Sequence, residues 1–363
     1  MDALTHIVLG AAVAQLPAES KQEIALKTGT KFSWQRRALL GAAAAMFPDI
    51  DYVLFWVNPL DFIAYWHRAE THSIILAPIW AFLIAGAVRF FFRSHKHFSI
   101  FFMVCLYAVL SHTLLDSLTT FGTQWFAPFS RYRVSWNLIF VVDIYFTFCV
   151  SILFLSLIYW RENGFKYLAA CLPIGYLLFL ITIKVYGYKK IQQVLPQTPM
   201  SQAKLVLLPQ PFSPFFWQVI GASSQATNQA YLKLAHDPIG DWMASQLGLD
   251  NQSASFQTAT KLKWQQHSLI PIDAKWQSEA RQVWSHPEFS AFRYFAQFPV
   301  LFEYQQLAQG RCIWFSDLRY HYPNMLPSFR YGMCKKSDQG LRLYRYQYLS
   351  RKQLERVAIV KQN

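Results

Sequence analysis

From the N-terminus to about Tyr188 the chain alternates long apolar runs with short polar joints; beyond that point shorter alternating segments rich in Pro, Gln and Ser take over. A bilayer-crossing helix needs roughly 20 mainly apolar residues. Stretches near 37–57, 72–92, 98–118, 137–159 and 166–187 meet that length. A sixth, near 4–16 ("LTHIVLGAAVAQL"), is short and predicts a helix that dips into the bilayer or is extended by its polar ends. The pattern predicts an all-α polytopic membrane domain of about six segments over 1–190. A soluble domain is expected over 191–363, after the linker-like "LPQTPM". There, "AKLVLLPQPFSPFFWQVIG" predicts a strand entering a Pro-rich corner, and 274–298 has helical spacing. Two hairpins are expected around Gln-Gly and Asp-Gln-Gly turns, giving an α+β or mainly β domain. Phe215, Phe216 and Trp217 read as core; the rival reading leans them on lipid.

Composition sharpens this picture. Of 363 residues, 53% are hydrophobic and only 15% charged, too apolar for an ordinary soluble enzyme. The first apolar run contains His6 and lacks a basic leader, so it reads as mature protein. A net charge of +14 raises the question of nucleic acid, but no basic stripe interleaved with stacking aromatics stands out in the C-terminal part, and no nucleic-acid partner is expected. Cytoplasmic loops of membrane proteins collect Lys and Arg, which accounts for the charge. Lys21, Lys27, Lys31, Arg36 and Arg37 fall in one joint, Arg89, Arg93 and Lys96 in another, Arg161 and Lys166 in a third. If the first segment crosses, these three share one side. The expectation is therefore a multi-pass protein of the bacterial inner membrane, with its N-terminus and C-terminal domain outside the cytoplasm. Lys189 and Lys190, at the outer end of the last run, argue the other way. Cys105, Cys149 and Cys171 sit in apolar runs as small core residues, whereas Cys312 and Cys334 can pair if their domain is extracytoplasmic.

That topology sorts the ionisable residues. His6, Asp49, Asp51, His67, His72, His112, Asp116 and Asp143 come from five segments and fall near one membrane face. Seven of the ten acidic residues before 190 share that side, which runs against scatter. Each alone is more ordinarily a cap or an interfacial group: Asp2 and Thr71 read as N-caps, His95 and His97 as bland loop residues, Asp61 and Glu70 as solvated. Together they are costly in a membrane unless they pair or serve function. In "HTLLD" His112 and Asp116 are four apart, so both project from one helix face. In "FPDIDY" Pro48 breaks the helix, letting Asp49 and Asp51 both turn inward. His67 and His72 are five apart, better placed if a turn ends at Thr71. Nitrogen and oxygen donors without thiolate suit divalent zinc, manganese or iron, and do not decide among them.

"DALTH", "FPDID", "HRAETHS", "SHTLLDSLTTFG" and the aspartate of "FVVDIYF", in that order over about 1–145, resemble the YdjM/YbcI-like membrane-bound metal-dependent hydrolases of bacteria. Ala69 departs from the glycine often found after the His-Arg pair, so a slightly altered turn is expected. The resemblance implies an integral inner-membrane protein with hydrolase activity. "PQPFSPFFW" and "WFSDLRY" also resemble the C-terminal extension of longer members. The order His, Asp, His, then His-x-x-x-Asp is similar to that of zinc-dependent phospholipase C and the single-strand-specific zinc nucleases, all-helical enzymes that cleave phosphoesters with three zinc ions.

The reading that results is a hydrolase with two or three divalent ions, zinc first, at the outer membrane face. Its ligand candidates are the eight residues named above, with Asp143 a ligand or an orienter of an imidazole. Asp49, His72 and Arg68 are assigned catalytic roles, Arg68 because its planar fork matches phosphate oxygens. Membrane lipids or lipid-linked precursors are the expected substrates. The alternatives are a metal-ion transporter, disfavoured by inner span halves such as "IWAFLIAGAV" that offer no polar path, and a non-catalytic anchor for an envelope partner.

Overall fold

The computed structural model describes residues 1–16, 33–91, 98–160, 164–195, 204–223, 226–248, 254–271, 273–307, 310–336, 340–346 and 354–357. Lys21, Lys27, Lys31, Arg93, Lys96, Arg161, His95, His97 and most of the linker lie outside them, as do the tips of the two predicted C-terminal hairpins.

The N-terminal region is helical: α1 (Ala3–Val13), α2 (Trp34–Met46), α3 (Ala77–Phe91), α4 (Phe98–Ser117), α5 (Ile144–Tyr159) and α6 (Phe165–Val194). Asp2 caps α1 by accepting the Thr5 amide, and Ser33 caps α2. At Phe47–Pro48 the α-helix gives way to a 3-10 helix, Phe47–Trp56, as a proline in a helical pattern dictates. Three helices among the described residues are long and apolar enough to cross a membrane: Trp34–Trp56, Phe98–Ser117 and Phe165–Val194. Counting the bent pair Pro59–His72 and Ala77–Phe91 as one span makes four. The six segments expected from hydropathy are not supported. Ala3–Val13 and Ile144–Tyr159 are too short. The apolar stretch that began at 137 is interrupted where Asn137 adopts φ 50° and Asp143 caps α5, so its first seven residues are loop.

The chain divides into two compact units, Met1–Asp51 with Arg68–Thr182, and Tyr52–His67 with Ile183–Asn363. The sequence boundary near 190 therefore lies inside α6, and Tyr52–His67, in the helical part by chain order, groups with the sheets.

In the first unit Gly10 and Gly41 let α1 and α2 approach closely. A Cβ on Gly10 would lie 2.6 Å from the Gly41 carbonyl oxygen and would also strike Ala45. Ala44, Ala45, Ala81, Ala85, Val104 and Ala108 continue this small-residue packing among α2, α3 and α4. Gly122, at φ 71°, turns the chain after α4, where a Cβ would meet the Val134 carbonyl at 2.6 Å.

The second unit carries two antiparallel sheets. One has the order β1 (Lys204–Pro209), β2 (Phe216–Ala222), β3 (Thr227–Lys233), β4 (Gln265–His267). The other runs β5 (Pro299–Leu307), β6 (Gly310–Asp317), β7 (Arg330–Lys336), β8 (Leu341–Tyr346), β9 (Leu354–Arg356). Helices α7 (Pro238–Gln246), α8 (Ala274–Ser285) and α9 (Ser290–Phe295) accompany them. Trp217 and Phe216 are buried in the core. Ile191 of α6 and Leu195 just after it pack with Leu207, Trp217 and Leu232 of the first sheet, so the end of α6 contributes to the sheet core. Cys312 and Cys334 face each other across β6 and β7 and are disulfide-bonded.

Candidate metal centre

Asp116 is fully buried on the last turn of α4. A lone carboxylate there would cost several kcal/mol. It is surrounded instead by cationic and imidazole groups of the first unit. Arg68 Nε lies 2.8 Å from Asp116 Oδ2, His6 Nε2 lies 3.2 Å from Oδ1, and the Met1 amino group contacts Oδ1. One turn earlier, His112 stacks on His6 with centroids 3.7 Å apart.

Four side chains converge: Asp49, His72, His112 and Asp116 each offer one donor atom, and all four atoms lie within 4.8 Å of one another. His72 Nε2 and His112 Nε2 are 3.0 Å apart. His72 Nε2 is 3.5 Å from Asp49 Oδ1 and 3.4 Å from Asp116 Oδ2. His112 Nε2 is 3.6 Å and 3.3 Å from the same two oxygens.

The other nitrogen of each ring decides what those Nε2 atoms are. His112 Nδ1 donates to the Ala45 carbonyl at 2.5 Å, which puts the proton on Nδ1 and the lone pair on Nε2. His72 Nδ1 sits 3.0 Å from Thr71 Oγ1 and 3.7 Å from Asp51 Oδ2, an acceptor-only carboxylate that favours the same tautomer. Two imidazole lone pairs then face each other with two carboxylate oxygens alongside. Such a donor set is repulsive without a cation among the donors. A tetrahedral ion with bonds of roughly 2.0–2.1 Å has donor–donor edges of roughly 3.3–3.4 Å. Five of the six donor–donor edges run from 3.0 to 3.6 Å. The four residues fit a metal ion.

The remaining sequence candidates take other places. His6 lies against the group through His112 and Asp116. Asp51 accepts the Arg68 amide at 2.8 Å and flanks His72, beside the donor set. Asp143 caps α5 through the Phe146 amide and accepts the Tyr176 hydroxyl at 2.9 Å. His67 belongs to the other unit, its ring stacked on Phe62 and edge-on to Tyr52. Arg68 stands at the centre, its Nη1 donating to Thr119 Oγ1 at 2.9 Å and its backbone at φ 56°. His72 ends a 3-10 turn, Glu70–His72, instead of opening α3, and Thr71 bonds that imidazole instead of capping a helix.

Two parts of the centre had no separate sequence signal. The Ala45 carbonyl that sets the His112 tautomer is backbone, and nothing in "GAAAAM" marks it. Thr119, which holds Arg68, lay inside "SHTLLDSLTTFG" but is an ordinary loop threonine by composition. Asp49 is the most open of the four, its side chain 21% exposed against 0% for the other three, so access to the group runs past it.

The chain is similar to the Bacillus subtilis protein YfhP, 32% identical over 143 residues, which is 39% of this chain and 42% of that one. It is also 32% identical to the Escherichia coli inner membrane protein YbcI over 120 residues, 32% of this chain and 68% of that protein. The match thus covers less than half the length of the B. subtilis relative. No solved structure matches. Residues 1–187, which contain the whole metal-binding group, match the YdjM inner membrane protein family, and the chain belongs to that family.

Proposed function

We propose that this protein is a metal-dependent hydrolase of the inner membrane that cleaves a phosphoester of a lipid or lipid-linked substrate at the outer membrane face. The observation that carries the reading is the pair of imidazole Nε2 atoms at 3.0 Å, flanked by Asp49 and Asp116. His72, His112, Asp49 and Asp116 would hold the ion, and zinc is preferred because nitrogen and oxygen donors at tetrahedral spacing suit it. Asp51 and His6, beside the donor set, are the residues that would help carry a second ion, with Asp143 and His67 displaced from that role by their packing. When bound, such an ion polarises a phosphoryl oxygen and lowers the pKa of water.

The chain's own residues supply the rest. Asp49, the most open carboxylate, accepts a proton from water entering beside it. His72 keeps its Nε2 lone pair aimed at the group because Thr71 and Asp51 hold Nδ1. Arg68 offers a guanidinium to phosphate oxygens from a backbone fixed by Asp51 and by the Gln124 amide, which donates to the Arg68 carbonyl at 2.9 Å. The outer-face assignment rests on the Lys and Arg content of the joints.

The test is metal analysis of the purified full chain together with hydrolysis of a panel of phosphatidic acid, lysophospholipid and polyprenyl-phosphate substrates. Expected are about one or more equivalents of metal and release of phosphate or headgroup that chelation abolishes. A chain without metal, or metal-loaded protein inert on the whole panel, would remove the reading. Protein-dependent metal flux into proteoliposomes would replace it with transport.

A further inference from the structure

A cavity of ≈ 450 Å³ runs along α3, with its lining wholly apolar in character. Trp80, Ile84, Ala87 and Phe91 line it at i, i+4, i+7 and i+11, one straight helical stripe, with Leu83 and Val88 beside them. The stripe covers eleven helical steps, ~16 Å, the reach of an extended chain of about a dozen carbons. α3 is apolar all round its outer face: Ile79, Phe82, Leu83, Phe90 and Phe91 are all exposed. In a family of inner membrane proteins those side chains meet acyl chains, so the groove opens to lipid.

One end of the groove is closed by Phe47, its ring centroid 5.5 Å from that of Trp80. Phe47 is two residues before Asp49 on the same 3-10 helix, a separation of ~4 Å along its axis. The Trp80 indole is fixed by donating Nε1 to the Glu70 carbonyl at 2.9 Å, and Glu70 is two residues before His72. The groove therefore ends at Phe47, two residues before Asp49, and at Trp80, which is held by Glu70, two residues before His72. An apolar groove whose end residues neighbour, along the chain, the ligands of a polar, cation-holding group matches an amphiphile.

We propose that this groove seats the single alkyl or isoprenyl chain of the substrate while its phosphorylated head lies at Asp49 and His72. The assignment rests on the hydrolase reading for the head and on the groove alone for the chain. The smallest lining residue, Ala87, sits mid-groove, so a larger side chain there blocks the chain without touching the metal group.

The experiment uses the full chain in lipid nanodiscs of phosphatidylcholine and a dodecylphosphonate bearing a terminal diazirine, whose carbon–phosphorus bond does not hydrolyse. Photolysis should place the label on the 83–91 segment, and excess dodecyl phosphate should compete it away while added phosphatidylcholine does not. Ala87→Phe should lower that labelling at least fivefold with metal content unchanged. Leu83→Trp, at a lipid-exposed position, is the second blocking variant should the first not fold. Labels scattered over the lipid-facing helices, or labelling equal in the blocked variants, would overturn the groove. Phosphoester hydrolysis that persists in the blocked variants would leave the hydrolase reading standing alone. Specific groove labelling in protein that hydrolyses nothing would sustain the groove and sink the reaction.

Discussion

At the scale of single residues, the centre works by fixing protons. His112 can face His72 at 3.0 Å because the Ala45 carbonyl accepts a hydrogen bond from its Nδ1, holding the proton there and the lone pair on Nε2. Removing the ring deletes a donor outright, which exceeds the roughly 10–100-fold cost of losing an outer hydrogen bond. His112→Ala and the isosteric Asp116→Asn should each lower metal affinity by more than about 100-fold and abolish hydrolysis. Ser117→Ala should keep metal and activity, since Ser117 Oγ only donates to the Leu114 carbonyl. Metal per chain in matched folded preparations decides; full occupancy in both donor variants would reduce these residues to packing. Spacing in "HTLLD" made the shared helix face legible in advance, and Pro48 made the inward turn of Asp49 legible. Asp143 was misleading because a carboxylate heading a helix looks the same in sequence whether it caps or ligates. His67 and His72 were equally ambiguous. The break at Arg68, held at φ 56°, sends them into different units, and such a conformation costs on the order of 1–3 kcal/mol that no pattern of residue types announces.

A different residue-level device lies in the second unit. His321 is half-buried beside Ser316, whose Oγ lies 2.8 Å from its Nε2, and faces His267 edge-on, with Asp317 nearby. Burial first, and His267 second, push the His321 imidazole down to about 3, while burial also lowers His267. Unfolded, each ring takes a proton below about 6.5. Between that value and about 3 the unfolded chain binds more protons than the folded one, so stability is full above pH 6.5 and falls as pH drops. The second unit should melt progressively earlier from pH 7 to pH 4, and His321→Gln should flatten that slope. An unchanged slope in thermal unfolding of the variant would assign the pH dependence elsewhere.

Among elements, the crossing of α1 and α2 sets the centre's position. His6 is one turn before Gly10, and Ala45 is one turn after Gly41, so the glycine contact fixes two groups that touch His112. Gly41→Leu inserts a side chain where only a hydrogen fits. It should destabilise by about 1–3 kcal/mol and shift the Ala45 carbonyl from His112, lowering metal retention while Gly86→Ala, with open space at its Cβ, does neither. Normal metal content in folded Gly41→Leu would show that the centre does not depend on this contact. The apolar runs read the helices well because length and hydropathy are additive along the chain. They overstated the spans because 137–143 is apolar yet looped, a distinction made by the Asp143 cap and not by mean hydropathy. In the second unit, turn residues and alternation gave hairpins, but the division into two sheets depends on pairings that no local pattern encodes.

For the whole molecule, the membrane orientation carries a structural constraint. The basic joints at 17–37, 89–97 and 161–166 share the cytoplasmic side only if the helix between the outer stretch 118–143 and the joint at 161–166 also crosses. That helix is α5, of 16 residues, ~24 Å long, shorter than a hydrocarbon core of about 30 Å. A short span is accommodated by local thinning and by interfacial anchors, and Tyr159 and Trp160 stand at its basic end. If α5 crosses, α6 returns the chain outward and the second unit meets an oxidising compartment, where the Cys312–Cys334 bond persists. The bond closes a loop of 22 residues in sequence separation, worth about 3 kcal/mol by chain entropy. Alkaline phosphatase fused after Asn363 should therefore be active, and green fluorescent protein inserted after Glu162 should fluoresce. Mass analysis of alkylated, unreduced protein should find Cys312 and Cys334 joined and Cys105, Cys149 and Cys171 free. The reversed pair of reporter signals, with both C-terminal thiols alkylated, would put the second unit in the cytoplasm. It would also move the metal centre to the inner face, because Asp49, His72 and Asp116 all lie at the span ends opposite the basic joints.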